Sequence, residues 1–363
     1  MKTPTSAIDE VSARALHIPT DAPEADGTLS WTKTTIVLVQ IGAGGKRGLG
    51  YSYTAAAAGD LVKDKLAEFL RGKDAFDIPG LWMGMLGAVR NLGSRGICAS
   101  AISAVDIALW DLKARLLGVP AFKLIGAARD AVPVYGSGGF TSYSNERLQE
   151  QLGRWAHEDG CRWVKMKIGS QPDEDPSRIE AAKRAIGSAT LFVDANGAYS
   201  RKQALAFAER FNDIGWFEEP VSSDDLDGLR LLRNRVPAGV EIAAGEYGYD
   251  LFYFRRMLEA CAVDVLQADA TRCCGITGFL RAAAIAESFS VPLSAHTAPA
   301  AHLHAACAVP HLRHLEWFHD HVRIEQAIFD GAPCLRGGVI APDPQRPGLG
   351  LDFKAADAER LAA

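Results

Sequence analysis

Ionisable side chains recur where short apolar runs of this chain end: Lys165 and Lys167, Asp194 with Asn196, Glu218, Glu246, Asp269, His296 and Glu316. Asp194, Glu218 and Glu246 close three successive runs, so a fold that lays those runs side by side points three carboxylates at one spot. Gathered carboxylates repel and take up protons unless a cation sits among them. Oxygen ligands with no histidine or cysteine favour a hard ion, Mg2+ with Mn2+ as the substitute, leaving positions for water or substrate. Any one of these acids alone reads equally well as a solvated loop start; the three together do not.

Lys165 and Lys167 lie two apart and share one face of a strand. Two close ammonium groups depress each other's pKa, which suits one of them to serve as a base near neutral pH. Val164, Met166 and Ile168 alternate with them and point the other way, into a packed wall. Asp269 and His296 end neighbouring runs, and a carboxylate on one imidazole nitrogen fixes the tautomer and raises the basicity of the other. The remaining candidates among the histidines, His302, His304, His311, His314, His319 and His321, read as packing or surface residues, with a zinc site at His319–Asp320–His321 the weaker reading.

The runs that must position these groups are Val132–Tyr135, Trp163–Lys167, Leu191–Asp194, Trp216–Glu218, Ile242–Gly245, Val263–Gln267, Pro292–Ser294 and His314–Glu316. A helical stretch follows each, which is what parallel strands closing into a barrel require, with the working residues at the strands' carboxyl ends. Before them the texture is α+β. Thr35–Ile41 is β-branched, Gly48–Thr54 reads as the return strand of a hairpin, and Ser100–Leu117 has helical apolar spacing ended by Gly118 and Pro120. The expected division is an α+β domain over 1–128, a barrel over 129–328 and a tail over 329–363 that returns to the first domain. Thr20–Trp31, polar and acidic, is expected to be a loop.

The chain has 363 residues, 48% apolar and 23% charged, with a net charge of −5. That balance, without a basic stripe, disfavours a nucleic-acid partner. No apolar run approaches a membrane span, and the first residues lack the pattern of a secretory signal. Seven cysteines scattered without CxxC spacing suit reduced thiols in the cytoplasm. The glycines at Gly42, Gly44, Gly45 and Gly48 miss the spacing of both common nucleotide loops.

VKMKIG at Val164–Gly169, LFVDANGAY at Leu191–Tyr199, WFEEP at Trp216–Pro220, AAGE at Ala243–Glu246, LQADATRCCGITG at Leu266–Gly278, SAH at Ser294–His296 and HLE at His314–Glu316 resemble the enolase superfamily, mandelate racemase subgroup. The helix at Asp106–Pro120 resembles that family's capping domain. The resemblance implies a modified TIM-like (β/α)7β barrel under an N-terminal α+β cap, Mg2+ on Asp194, Glu218 and Glu246, and a homo-oligomer. It implies that Lys165 joins the metal in binding a small-molecule carboxylate substrate, with Asn196 as a further substrate contact. Lys167 would be the base on one face, His296 with Asp269 the acid or base on the other, and Glu316 a hydrogen-bond donor to an enediolate. The muconate lactonizing subgroup has a lysine near the position of Asp269, and its absence here is expected to set cycloisomerases and dipeptide epimerases aside. Cys273–Cys274 stands where the family commonly has a second glycine before the next residue, which leaves the geometry of that loop open. The expected reaction is dehydration of a sugar acid to a 2-keto-3-deoxy acid. The alternatives are a racemase or epimerase using the same two groups, and a barrel that binds metal and ligand without turnover.

Overall fold

The computed structural model describes residues 6–362, so residues 1–5 of the expected cap and residue 363 of the tail lie outside it. Three antiparallel strands, β1 (Ile8–Ala25), β2 (Ser30–Ala43) and β3 (Lys46–Tyr53), form the cap sheet with β2 in the middle. The strand reads as an unbroken β-branched run because both of its faces are covered. Val37, Val39 and Ile41 pack among the cap helices, while Ile36 and Leu38 belong to the core shared with the barrel.

The helix Ile97–Leu117 lies on β3 so closely that a Cβ on Gly50 would stand 2.1 Å from the Ala104 carbonyl oxygen. It is buried along most of its length and ends at Gly118, whose φ of 69° and N–H to the Ala114 carbonyl form a left-handed cap. Its Asp106 reaches the barrel, accepting from the Thr277 backbone N–H at 2.9 Å and from the Thr277 hydroxyl at 2.7 Å.

Eight parallel strands follow: β4 (Val132–Gly138), β5 (Trp163–Lys167), β6 (Thr190–Asp194), β7 (Trp216–Glu218), β8 (Glu241–Ala244), β9 (Val265–Ala268), β10 (Leu293–Ala295) and β11 (Leu312–Phe318). They pair in sequence order, and β11 closes the cylinder on β4, with Glu316 opposite Tyr135. Seven helices join them and an eighth, His319–Ile328, follows β11. Tyr135, Phe192 and Trp216 pack inside the cylinder below its mouth, and the His314 ring sits among them, 4.8 Å from that of Tyr135. Burial pushes His314 down to about 3, so it is a neutral packing residue. Past the last helix, Val339–Ile340 pairs with β4, Asp352–Phe353 pairs with Phe329–Asp330, and the helix Ala355–Ala362 comes to β1, where Arg14 meets Glu359 at 3.2 Å.

Thr20–Trp31 is not a loop. Its outer parts are the ends of β1 and β2, joined by a turn at 26–29, with a register break between Pro19 and Glu24. Prolines at 19 and 23 and a mostly half-exposed face hide the strand from a period-two reading. The turn nonetheless sits over the barrel: a Cβ on Gly27 would lie 2.2 Å from the Ala195 carbonyl oxygen and 2.7 Å from that of Ile168.

Candidate active site

The strand ends converge. β6, β7 and β8 are neighbours, and they bring Asp194, Glu218 and Glu246 to where one carboxylate oxygen from each lies within 4.8 Å of the others. All three are buried. Glu246 Oε2 meets no hydrogen-bond donor; His296 Nε2 is 3.2 Å away but not aligned to donate. A buried, unsatisfied carboxylate oxygen facing two more carboxylates is what a hard cation requires, so the donor set fits Mg2+ or Mn2+.

β5 delivers the two amines from one face. Lys165 Nζ, fully buried, is 2.7 Å from Glu218 Oε1, 2.8 Å from Glu316 Oε1 and 3.5 Å from Asp194 Oδ2. Lys167 Nζ contacts Asp194 Oδ2 and lies 3.2 Å from Asn196 Oδ1, and the Asn196 N–H in turn donates to Asp194 Oδ1 at 2.9 Å. The expected depression of the lysines does not appear. Burial lowers each, and Lys165 lowers Lys167 further, but Glu218 and Glu316 hold Lys165 well above the lysine range and Asp194 does the same to Lys167. The acids facing the two amines outweigh the second ammonium.

β10 and β9 supply the group across the mouth. His296 Nδ1 is 2.9 Å from Asp269 Oδ2, while the other Asp269 oxygen accepts from the Thr271 N–H and hydroxyl, both at 2.7 Å. Burial opposes the imidazolium, but Glu246 and Glu316, with the hydrogen bond to Asp269, raise His296 to about 9. Glu316, from β11, accepts from Ser137 at Oε1 (2.6 Å) and from the Thr297 N–H at Oε2 (2.9 Å). Its carboxyl is lowered to about 2, burial being outweighed by Lys165 and His296.

Round the cylinder, β5 and β10 are separated by β4 and β11. Lys167 therefore approaches the three acids through Asp194, and His296 approaches them through Glu246, from opposite flanks.

Ser137, Arg272 and Glu219 join the site without a motif that marks their role in the sequence. Ser137 follows a strand taken to stop at Tyr135, and its Gly-Ser-Gly setting imitates a loop. Arg272 stands 3.3 Å from Glu246 Oε1 and 3.5 Å from Asp269 Oδ2, joining two halves of the site from one turn beyond Asp269. Glu219 is buried with Oε1 unsatisfied, and burial together with Glu246 raises it well above its ordinary value. The doubled acid in Trp216–Pro220 was the available signal for it. His319 and His321, offered as a zinc pair, diverge: His319 faces Asp21, and His321 stacks on Tyr53 at 3.4 Å between ring centres. Cys274 takes a left-handed φ of 65°, so it occupies the conformation a glycine would take, and Asp269 keeps its partners.

A capped parallel barrel with acids on three successive strands, flanked by a lysine pair and a histidine–aspartate pair, defines a class of proteins. Residues 10–126 match the mandelate racemase / muconate lactonizing enzyme N-terminal domain and residues 147–358 match the enolase C-terminal domain-like model. The chain belongs to the mandelate racemase / muconate lactonizing enzyme family of the enolase superfamily. It is 52% identical to a mandelate racemase/muconate lactonizing enzyme-like protein from Rubrobacter xylanophilus, with a TM-score of 0.95 over 98% of this chain and 99% of that one. It is 35% identical to the 3,6-anhydro-alpha-L-galactonate cycloisomerase of Streptomyces coelicolor over 85% of this chain and 87% of the relative. L-Talarate/galactarate dehydratase from Salmonella typhimurium LT2, solved with Mg and L-lyxarohydroxamate, is 30% identical with a TM-score of 0.88, covering 98% of this chain and 93% of that one. Other relatives are named as arabinonate and D-galactonate dehydratases, and one structural neighbour is a racemase with bound magnesium. Two of the relatives are named as cycloisomerases, of 3,6-anhydro-alpha-L-galactonate and of D-galactarolactone.

Proposed function

We propose that this protein removes the proton next to the carboxylate of a sugar acid and expels the β-hydroxyl, giving a 2-keto-3-deoxy acid. The observation that carries this reading is the placement of Lys167 and of the His296–Asp269 pair on opposite flanks of one carboxylate cluster. Asp194, Glu218 and Glu246 would hold Mg2+, the ion with which related structures were solved. When bound, that ion supplies positive charge against the second negative charge that proton loss creates on the substrate carboxylate.

The chain's own residues divide the remaining work. Lys165 stays charged among its three carboxylate neighbours and binds the substrate carboxylate, with Asn196 beside Lys167 as a polar contact. Lys167 takes the α-proton as its neutral amine, a form that becomes accessible once Asp194 is engaged elsewhere. His296, held protonated at neutral pH by the acids around it, gives its proton to the departing β-hydroxyl from the other flank. Glu316 accepts from Lys165, Ser137 and the Thr297 amide and is ionised among them, so it can donate to the developing enediolate only after taking up a proton. The hairpin turn at Gly27 shields the mouth from water. We take 1–128 as the cap, 129–328 as the barrel and 329–363 as the returning tail.

A racemase or epimerase is the second reading, favoured by the same two flanks: His296 would give its proton to the opposite face of the α-carbon instead of to a β-hydroxyl that leaves as water. A library of mono- and diacid sugars incubated with the protein and Mg2+ in deuterated buffer separates the readings. Dehydration yields a 2-keto-3-deoxy acid, racemisation yields the deuterated epimer, and a barrel that merely binds its ligand yields neither product nor exchange.

A further inference from the structure

Outside the barrel mouth, Asp21 and Glu24 near the end of β1 meet His319 at the start of the helix after β11. Each offers one ligand atom, and the three atoms lie within 4.8 Å of one another. His319 Nε2 is 3.1 Å from Asp21 Oδ2. Glu24 is fully buried; its Oε2 accepts from the Trp31 indole N–H at 2.9 Å, and its Oε1 is shut away from solvent with no hydrogen-bond donor. Burial and the nearby Asp320 raise Glu24 from 4.5 to about 8, and an oxygen so shut away has given up water without a replacement. The nearby cations serve other groups. Arg147 Nη2 lies 3.2 Å from Asp21 Oδ2 and 3.1 Å from the Tyr143 hydroxyl. Arg323 is held by Asp320 and by the Pro19 carbonyl, and Asp320 itself is engaged by Arg323 and Thr34.

We propose that Asp21, Glu24 and His319 form a second divalent-metal site, separate from the barrel centre, that fastens the cap hairpin to the rim of the barrel. One imidazole nitrogen with two carboxylates suits a borderline ion such as Zn2+, Co2+ or Mn2+ better than Mg2+, and three protein ligands leave the remaining positions to water. Binding requires Arg147 to release Asp21, which its bond to Tyr143 and its position 4.0 Å over that ring allow without stranding it. The consequence follows from connectivity. Both acids sit on the hairpin whose turn covers Ile168 and Ala195, each one residue from Lys167 or Asp194, and His319 follows Glu316 by three residues. An ion here links the cover of the mouth to the strand that carries Glu316.

The test uses the full-length protein with Mg2+ in excess, so that the barrel centre is filled, and titrates Co2+ and then Zn2+. The expected result is one further equivalent of Co2+ with visible absorption, displaced by Zn2+. His319→Ala and Glu24→Gln should each weaken that equivalent tenfold or more, while Glu218→Gln, in the barrel centre, should leave it in place. Zn2+ should slow backbone hydrogen exchange across residues 20–31 in the parent protein and not in His319→Ala. A parent protein that takes up nothing beyond the barrel equivalent overturns the proposal, as does a further equivalent that survives both variants.

Discussion

His296 Nδ1 stands 2.9 Å from Asp269 Oδ2 while its Nε2 faces Glu246 at 3.2 Å, so one ring connects a supporting acid to the carboxylate cluster. If the imidazole acts on one flank only, removing it must leave the other flank working. His296→Asn should lose dehydration by roughly 10²–10⁴-fold, the range for a general acid, yet still exchange the substrate α-proton with deuterated solvent through Lys167. Loss of exchange along with turnover would remove Lys167 from the role of base.

The reciprocal variant, Lys167→Ala, should abolish that exchange while substrate binding persists, because Lys165 keeps its place between Glu218 and Glu316. Isothermal titration of substrate into the Mg2+-loaded variant, beside an exchange assay, reads both quantities. Unchanged exchange sinks the assignment.

Removing the divalent ion should destabilise the fold as well as stop turnover. Asp194, Glu218 and Glu246 are buried within reach of one another, and burial followed by repulsion from Asp194 raises Glu218. A ligand at 100 times its Kd stabilises by about 2.7 kcal/mol. Thermal unfolding with Mg2+ and with a chelator should therefore differ by several degrees, and Glu218→Gln should erase the difference.

Gly27→Val should raise KM more than it lowers kcat. The added carbons collide with the carbonyl oxygens of Ala195 and Ile168, so the hairpin must lift from the mouth, whereas the lysines and acids beneath keep their own contacts. Steady-state kinetics on the substrate found by the library decides this, and an unaltered KM would show that the turn plays no part in substrate capture.

Glu325 gives a pH effect away from the acids of the barrel centre. It is buried, accepts from the Tyr51 hydroxyl at 2.7 Å and from the Ala300 N–H at 3.0 Å, and burial raises it from 4.5 to about 8 despite both bonds. Across that window the folded protein keeps a proton that the unfolded chain has lost. Its contribution to stability is complete below pH 4.5 and is lost as pH rises towards 8. Glu325→Gln should flatten this part of the pH–stability curve, measured by denaturant unfolding at several pH values. An unchanged slope would exclude Glu325 as its source.

The barrel was legible because seven of its eight strands are short apolar runs ending in a group that chemistry can use, as Leu191–Asp194 and Trp216–Glu218 show. β1 was not, because Pro19, Pro23 and a broken register erase the alternation that marks a strand. The spacing of Lys165 and Lys167 puts both amines on one face, but their charge state depends on Glu218 and Glu316 for the first and on Asp194 for the second, which arrive from other strands. Arg272 escaped notice for a related reason: it touches Glu246 only after two neighbouring strands are laid together. His319 is a metal candidate in the sequence, but beside Asp320 and His321; its actual neighbour Asp21 lies near the other end of the chain.

β2 carries Val37 and Val39 into one hydrophobic core and Ile36 and Leu38 into another. A strand held in common leaves no seam along which cover and cylinder can part. Melting should therefore be a single event for the whole chain, and a fragment beginning at residue 129 should aggregate instead of standing as a free barrel.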